Sequence, residues 1–381
     1  MAKKKPPVKF PLRLHATGQW CKKRRGKSYY FGTDRDAALK RFVAEWPDIL
    51  AGRSVKPVAV GTTVAELVNH FLTAKRSRVQ AGELSPRMWS DYHNTCELAV
   101  KAFGGTRPVA DLRPDDFAEL RTAASKRLGP VALGTLIQRV KTIFKHGFDA
   151  ELIAVPVRFG TGFDKPPKRV VRLQRADNGP KLIGPADLRA MVDAAGSPLD
   201  AMILLGLNGG FGASDCSALP RTALDRPGWI DFRRPKTGSP RRFPLWPETQ
   251  AALEVVLKDR PDPIDPADSG LVFLTRFGRA FVRFTDPSGG KHGHRSDGIA
   301  QEFARLAKRL NIDVQGSFYT LRHVFRTIAD GTLDPVAAGL IMGHSDSSIA
   351  GAYRERIDDA RLLKVTNYVR AWLFGGEHIA P

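Results

Sequence analysis

The sequence predicts a multidomain, mainly α protein with small β elements, and three observations predict it. Apolar residues recur at helical spacing from Val64 onward, and strand-like alternation is confined to a few short stretches. Two Pro- and Gly-punctuated segments without periodicity, 52–63 and 155–172, part the chain into three. At 381 residues the chain is long enough for two or three domains with cores of their own.

Charge sets the expected class of partner. Sixty Lys and Arg against 39 Asp and Glu leave a net +21, and such an excess repels itself in a compact fold unless a polyanion relieves it. Double-stranded DNA or another nucleic acid is the favoured partner, held by contacts that weaken as salt rises. A basic protein of the membrane surface is the rival, but no basic amphipathic helix or lipidation signal supports it. The three cysteines, Cys21, Cys96 and Cys216, are far apart and form no CxxC, which argues against disulfides and zinc and fits a reducing compartment. "MAKKKPPVKF" has basic residues but no apolar run behind it, and stretches such as "AMILLGL" are too short to span a bilayer. The expectation is a soluble cytoplasmic, nucleoid-associated protein with no metal and no cofactor.

The first segment, 1–56, holds 15 Lys and Arg against four acids, so about half of the excess charge sits in it. "PLRLHATGQW", "CKKRRGKSYYFG" and "TDRDAALKRFVAEW" read as a strand, a strand pair and a helix, with Thr33 or Asp34 as N-cap. Ala38, Phe42 and Trp46 form the stripe that packs this helix on the sheet. The tip, Lys22, Lys23, Arg24, Arg25 and Lys27, is expected to project from a hairpin and contact phosphates, the alternative being a solvated charged turn.

In the second segment, 57–160, Val64, Leu67, Val68, Phe71 and Leu72 follow the helical template. Helices are predicted over about 85–103, 114–127 and 130–150, each opened by a proline signal. The third segment, 175–381, mixes helices with short strands; "GWIDFRRPKTGSPRRFPLW", 228–246, alternates around a turn and reads as a hairpin.

Chemistry-bearing residues gather near the C-terminus. In "FYTLRHVFRTIAD", Leu321, Val324, Phe325 and Ile328 form the inward stripe, while Arg322 and Arg326 share another face one turn apart. "VAAGLIMGH" ends a helix at Gly343 with His344 just beyond, and "SDSSIAGAY" supplies an N-capped turn bearing Tyr353, nine positions after His344. Each piece alone reads as a solvated face, a capping histidine or a surface turn.

The ordered set "LRHVFRT", "MGH" and a tyrosine nine residues on resembles the C-terminal signature of the tyrosine recombinases, the phage-integrase family. "RPKTGSPRRFPLW" is similar to the family's β-hairpin, with Lys236 at the catalytic position. The resemblance implies an arm-DNA-binding-like module, a helical core-binding (SAM-like) domain and a mixed α+β catalytic domain, assembling as a homotetramer on DNA. It also implies roles. Tyr353 attacks a phosphodiester to give a 3′-phosphotyrosyl link and a free 5′-hydroxyl, Arg322 clamps the phosphate, His344 donates to it, and Lys236 protonates the leaving oxygen. A phenol ordinarily titrates near about 10, so cations that favour phenolate belong beside it.

Two positions depart from the family's pattern. Where the first of its paired arginines usually sits, "GGFGASDCSALP" aligns Gly212, with Asp215 at the acid three residues on. Tyr319 stands where the family often has histidine. Arg326 is the expected replacement for the missing guanidinium, or else a contact to the DNA backbone; Arg221, Arg241 and Arg242 are lesser candidates, and Arg241 and Arg242 are also expected at the DNA surface. Leu362, Val365, Val369, Trp372 and Leu373 form a stripe on a terminal helix that docks on its own domain or into a neighbouring protomer. The function expected is a site-specific recombinase or integrase; the alternatives are a relaxing topoisomerase-like enzyme with the same site and a non-catalytic DNA-binding derivative.

Overall fold

The computed structural model describes residues 10–50, 61–234, 238–285, 294–345 and 348–375. The chain divides into two units, 1–84 with 91–167, and 85–90 with 168–381. In the first unit, β1 (Arg13–Leu14), β2 (Trp20–Arg24) and β3 (Lys27–Tyr30) form an antiparallel sheet in chain order. Arg25 and Gly26, with φ of 44° and 82°, are both left-handed, the two-residue turn whose twist suits a β-hairpin. Helix α1 (Arg35–Leu50) starts behind Asp34, whose Oδ1 accepts the Ala37 N–H at 2.8 Å. The expected stripe packs as Ala38, Phe42 and Trp46 against Phe31, with Leu12 and Ile49 completing a small core.

Helices α2 (Val64–Gln80), α3 (Pro86–Phe103), α4 (Pro114–Ser125) and α5 (Pro130–Asp149) follow the predicted spans closely. A capping box opens α2, with Thr63 N–H donating to Glu66 Oε2 at 2.8 Å and Glu66 N–H to Thr63 Oγ1 at 3.3 Å. Phe71, Phe103, Phe117 and Phe144 centre a core that also takes in Phe163, from the stretch 155–172 read as a linker. That reading is corrected: Phe163 is fully buried and its ring lies 5.4 Å from that of Phe117. Proline content disguised a segment that closes the core, and α6 (Lys168–Asp177) begins within the same stretch.

In the second unit, α7 (Pro185–Ala194) precedes α8 (Leu199–Gly209), in which every residue but Asp200 is buried. A helix apolar all round belongs at the centre of its domain. After α9 (Ala213–Ser217), strands β4 (Trp229–Arg233) and β5 (Pro240–Pro244) pair antiparallel, with Phe232 opposite Arg241. Helix α10 (Pro247–Lys258), a ribbon of β6 (Val282–Thr285) and β7 (His294–Asp297), and α11 (Gly298–Arg309) lead to α12 (Thr320–Ala329), α13 (Pro335–Ile341), α14 (Ile349–Ala352) and α15 (Asp359–Phe374). Helices α7, α10, α12 and α15 pack on α8. A Cβ at Gly206 would meet Leu321 Cδ1 at 2.8 Å, so glycine there lets α12 approach the central helix.

The terminal stripe resolves as self-docking. Leu362, Val365, Val369 and Leu373 are fully buried in the core of their own unit, with Trp372 at its edge. Of the two expectations for this face, docking on its own domain or into a neighbouring protomer, the first is the one seen in this chain. Among the described residues, no helix is long and apolar enough to cross a membrane.

Candidate active site

The site is built where two helices end. Gly210, with φ of 64°, stops α8 in the left-handed conformation. Gly212 then caps α9, and Asp215 Oδ2 accepts the Gly212 N–H at 3.0 Å. The Asp215 side chain is only 6% exposed, yet three guanidiniums surround it. Arg234 binds it with both prongs, Nε to Oδ1 at 2.8 Å and Nη2 to Oδ2 at 3.1 Å. Arg241 Nη1 lies 3.3 Å and Arg322 Nη1 3.8 Å from Oδ2. Burial acts to raise the Asp215 pKa, but it is outweighed by the hydrogen bonds from Arg234, the charge of Arg241 and the Gly212 N–H, which hold it below the usual carboxylate range.

Helix C-terminal carbonyls, the negative ends of peptide dipoles, hold two of the guanidiniums in place. Arg322 donates to Gly210 O at 2.5 Å and Met342 O at 2.9 Å. Arg241 donates to Gly209 O at 2.6 Å and Ile341 O at 3.0 Å, with its guanidinium 3.6 Å from the Phe211 ring centroid. Burial lowers the Arg241 pKa to about 9 against the pull of Asp215, so it remains a cation at neutral pH. Burial, with Arg234 beside it, also lowers that of Arg322.

His344 completes the pocket, its Nε2 2.8 Å from Arg322 Nη2. Burial first, then the charges of Arg322, Arg234, Arg326 and Arg241, hold its pKa below that of an ordinary imidazole. A neutral ring whose Nε2 accepts from Arg322 carries its proton on Nδ1. Three guanidiniums against one carboxylate leave two positive charges in excess, beside a neutral imidazole. Chemically this is a seat for an anion.

The remaining predicted residues fall as follows. Tyr319 is half-exposed; its ring lies over Gly212, where a Cβ would sit 3.3 Å from Tyr319 Cδ2, and edge-on to His323. Arg326 is not opposite Asp215: it pairs with Asp330, Nη2 to Oδ1 at 2.8 Å. It does share with His344 a groove of about 700 Å³, also lined by Ser239, Gly351, Arg354 and Arg356. Tyr353 follows α14, which Ser348 caps through the Gly351 N–H at 3.0 Å. The tyrosine is 82% exposed, and its neighbours Gly351 and Arg354 line the groove that reaches His344. Lys236 lies outside the described residues.

Three placements differ from the DNA-surface expectation. Arg241 is fully buried, Arg242 is paired with Asp359, and Arg24 donates to the last carbonyls of α1, Ile49 O and Leu50 O. Lys23, Arg25 and Lys27 are exposed at the hairpin tip, while Lys22 lies over the Phe42 and Trp46 rings. Arg221 is exposed on a short turn of helix.

Sequence reasoning passed over Arg234. The signal was strand parity: Ile230 and Phe232 face inward on β4, and the same phase carries on to Arg234, as Arg241 and Phe243 share the inward phase of β5.

No protein-family model and no curated protein matches the sequence. Solved structures do match in fold. A lambda integrase dimer bound to a COC′ core site superposes with a TM-score of 0.54 at 14% identity, covering 94% of this chain and 97% of that one. A lambda integrase tetramer bound to a Holliday junction gives 0.53 at 16%, covering 93% and 97%. The Tn1549 transposon integrase in complex with a circular intermediate DNA gives 0.55 at 18%, covering 78% of this chain and 97% of that one. The chain has the multidomain, mainly α integrase fold, as its signature residues led one to expect.

Proposed function

We propose that this chain is a DNA recombinase of the integrase kind, cutting and rejoining strands through a transient bond between Tyr353 and a 3′-phosphate. The observation that carries the reading is the buried pocket of Arg234, Arg241 and Arg322 around one carboxylate, with His344 at its mouth. In the proposed step the phenolic oxygen of Tyr353 bonds to phosphorus and loses its proton to solvent. The P–O5′ bond breaks, and the 5′-oxygen leaves as a hydroxyl, its proton assigned to Lys236. Arg322 and the Nδ1–H of His344 are suited to the non-bridging oxygens, whose charge grows as phosphorus becomes five-coordinate. One ester replaces another, so rejoining to a second strand needs no external energy source.

The exposed phenol supports an attacking group carried on a surface turn rather than one packed in the core. Binding DNA would have to bring it from solvent to the pocket, in its own subunit or in another. The basic hairpin and helical domain of the first unit are assigned to holding arm and core DNA, and a multimer on DNA supplies the pairing of strands. A homotetramer is part of this reading, joined by surfaces other than the covered stripe of α15.

Gly212 favours a second reading, a DNA-binding protein without chemistry. One experiment separates the two. A pool of nicked duplexes of randomised sequence is incubated with the protein, and protein–DNA adducts that survive denaturation are captured. An adduct formed by the wild type and absent with Tyr353→Phe is expected; equal binding of DNA with no adduct would leave only the binder.

A further inference from the structure

The pocket raises a question that the signature residues do not answer: which group does the work of the guanidinium lost at Gly212. We propose that Arg234, at the end of the first hairpin strand, is that group and contacts the scissile phosphate together with Arg322. The inference rests on the proposed function and assigns a further residue to the same site.

Four observations converge on it. First, Arg234 is anchored to the acid that follows Gly212 by three positions, with both prongs on Asp215 at 2.8 and 3.1 Å. A bidentate pair fixes the plane of the guanidinium as well as its position. Second, that pair uses two of the five N–H groups an arginine carries, leaving three for an anion. Third, among the cations around Asp215, Arg241 is fully buried and Arg322 is 3% exposed, whereas Arg234 at 11% is the most exposed. Its charge acts on both Arg322 and His344.

Fourth, the surroundings pack closely on this arrangement. The Tyr319 ring lies where a Cβ on Gly212 would begin, at 3.3 Å. At the other side, a Cβ on Gly343 would meet Arg234 Cδ at 3.0 Å and Arg241 Cβ at 3.4 Å, so the arginine stem runs over the glycine that ends α13. Gly343, with φ of 64°, thus serves twice, as a left-handed stop and as the floor under Arg234. In this chain a guanidinium from the hairpin, not one at position 212, is held by the acid that follows Gly212.

Arg326, the alternative on sequence grounds, forks onto Asp330 rather than onto Asp215, so it is not held beside Arg322 by the acid that follows Gly212. One helical turn displaces it about 6 Å along the axis from Arg322.

The test compares two substrates that differ by one charge. A duplex recovered by adduct capture is made with an ordinary phosphodiester and with an uncharged methylphosphonate at the cleaved position. Adduct formation is timed for the wild type, Arg234→Ala and Arg234→Lys, and thermal melting of each variant is recorded. On the phosphodiester, Arg234→Ala is expected to slow adduct formation about 10²–10³-fold, as for loss of one preorganised oxyanion donor. Arg234→Lys, which keeps the charge and loses the fork, is expected to fall in between. On the methylphosphonate the gap between wild type and Arg234→Ala should shrink to about tenfold or less, because the clamped charge is gone.

A purely structural arginine would slow both substrates alike, and that result overturns the inference, as would undiminished rates in both variants. Should Arg234→Ala not fold, the same substrate ratio read with Arg234→Lys decides. If the wild type itself forms no adduct on any duplex, the proposed function fails and takes this inference with it; loss of charge dependence in the variants alone marks success.

Discussion

Two basic hairpins of this chain, β2–β3 and β4–β5, use their cations in opposite ways. At the tip of β2–β3, Lys23, Arg25 and Lys27 face solvent, and no buried acid gathers them. At the end of β4–β5, Arg234 and Arg241 are drawn inward around Asp215, and Arg322 joins them from α12. The first hairpin offers exposed charges that any polyanion satisfies. The second holds oriented guanidiniums against carbonyls at two helix ends, a geometry with one anion in view. Burial, not charge count, separates the two hairpins here.

The comparison breaks most readily at Asp215. Asp215→Asn leaves buried guanidiniums without their counter-ion, and the expected cost is about 3–5 kcal/mol of stability by chemical denaturation. A loss below about 1 kcal/mol would mean that this carboxylate does not organise the pocket. At the other hairpin, Lys23→Ala and Arg25→Ala should stay within about 0.5 kcal/mol of the wild type. Arg24 is the exception there. It satisfies the last carbonyls of α1, so Arg24→Ala should cost about 1.5–3 kcal/mol of that module's stability, measured by hydrogen exchange in α1.

DNA affinity sharpens the contrast further. Each of Lys23→Ala and Arg25→Ala should lower the slope of log affinity against log salt by about 1 and leave the adduct rate at saturating DNA unchanged. A lost rate with an unchanged slope would move the tip into the chemistry.

The smallest expected effect is in the titration of His344. Its pKa in the folded protein is lowered, so as pH falls the unfolded chain takes up the proton first, near about 6.5. The contribution of the neutral ring to stability is therefore full above that pH and is lost as pH falls toward the folded value. NMR of the imidazole should show this depressed titration, and sulfate bound in the pocket should move it upward. An unchanged titration with sulfate bound would place the anion elsewhere.

Local signals made much of this legible in the sequence. The helices of the first unit follow from proline openings and apolar spacing, and the hairpin at Arg25 and Gly26 follows from its turn chemistry. Arg322, His344 and Tyr353 stand out by type, order and spacing. The sequence names Arg322 as a phosphate clamp but not what holds it, because the helical wheel does not reveal that α8 ends beside it and offers Gly210 O. Arg234 was overlooked because its partner lies 19 residues away across a turn, a pairing only the fold creates. Arg326 stands out in the sequence because its spacing from Arg322 is visible there, whereas its pairing with Asp330 is set by the side-chain geometry. The stretch 155–172 looked like a linker because proline content masks a single buried phenylalanine, Phe163.

The most direct measurement is the site of attachment itself. Captured adducts are digested with nuclease and protease, and the peptide that retains nucleotide is sequenced by mass spectrometry. The account predicts one modified peptide, with a 3′-linked nucleotide on the oxygen of Tyr353 and none on Tyr319. Nucleotide on any other residue, or DNA cleavage with no protein-linked nucleotide at all, would contradict it.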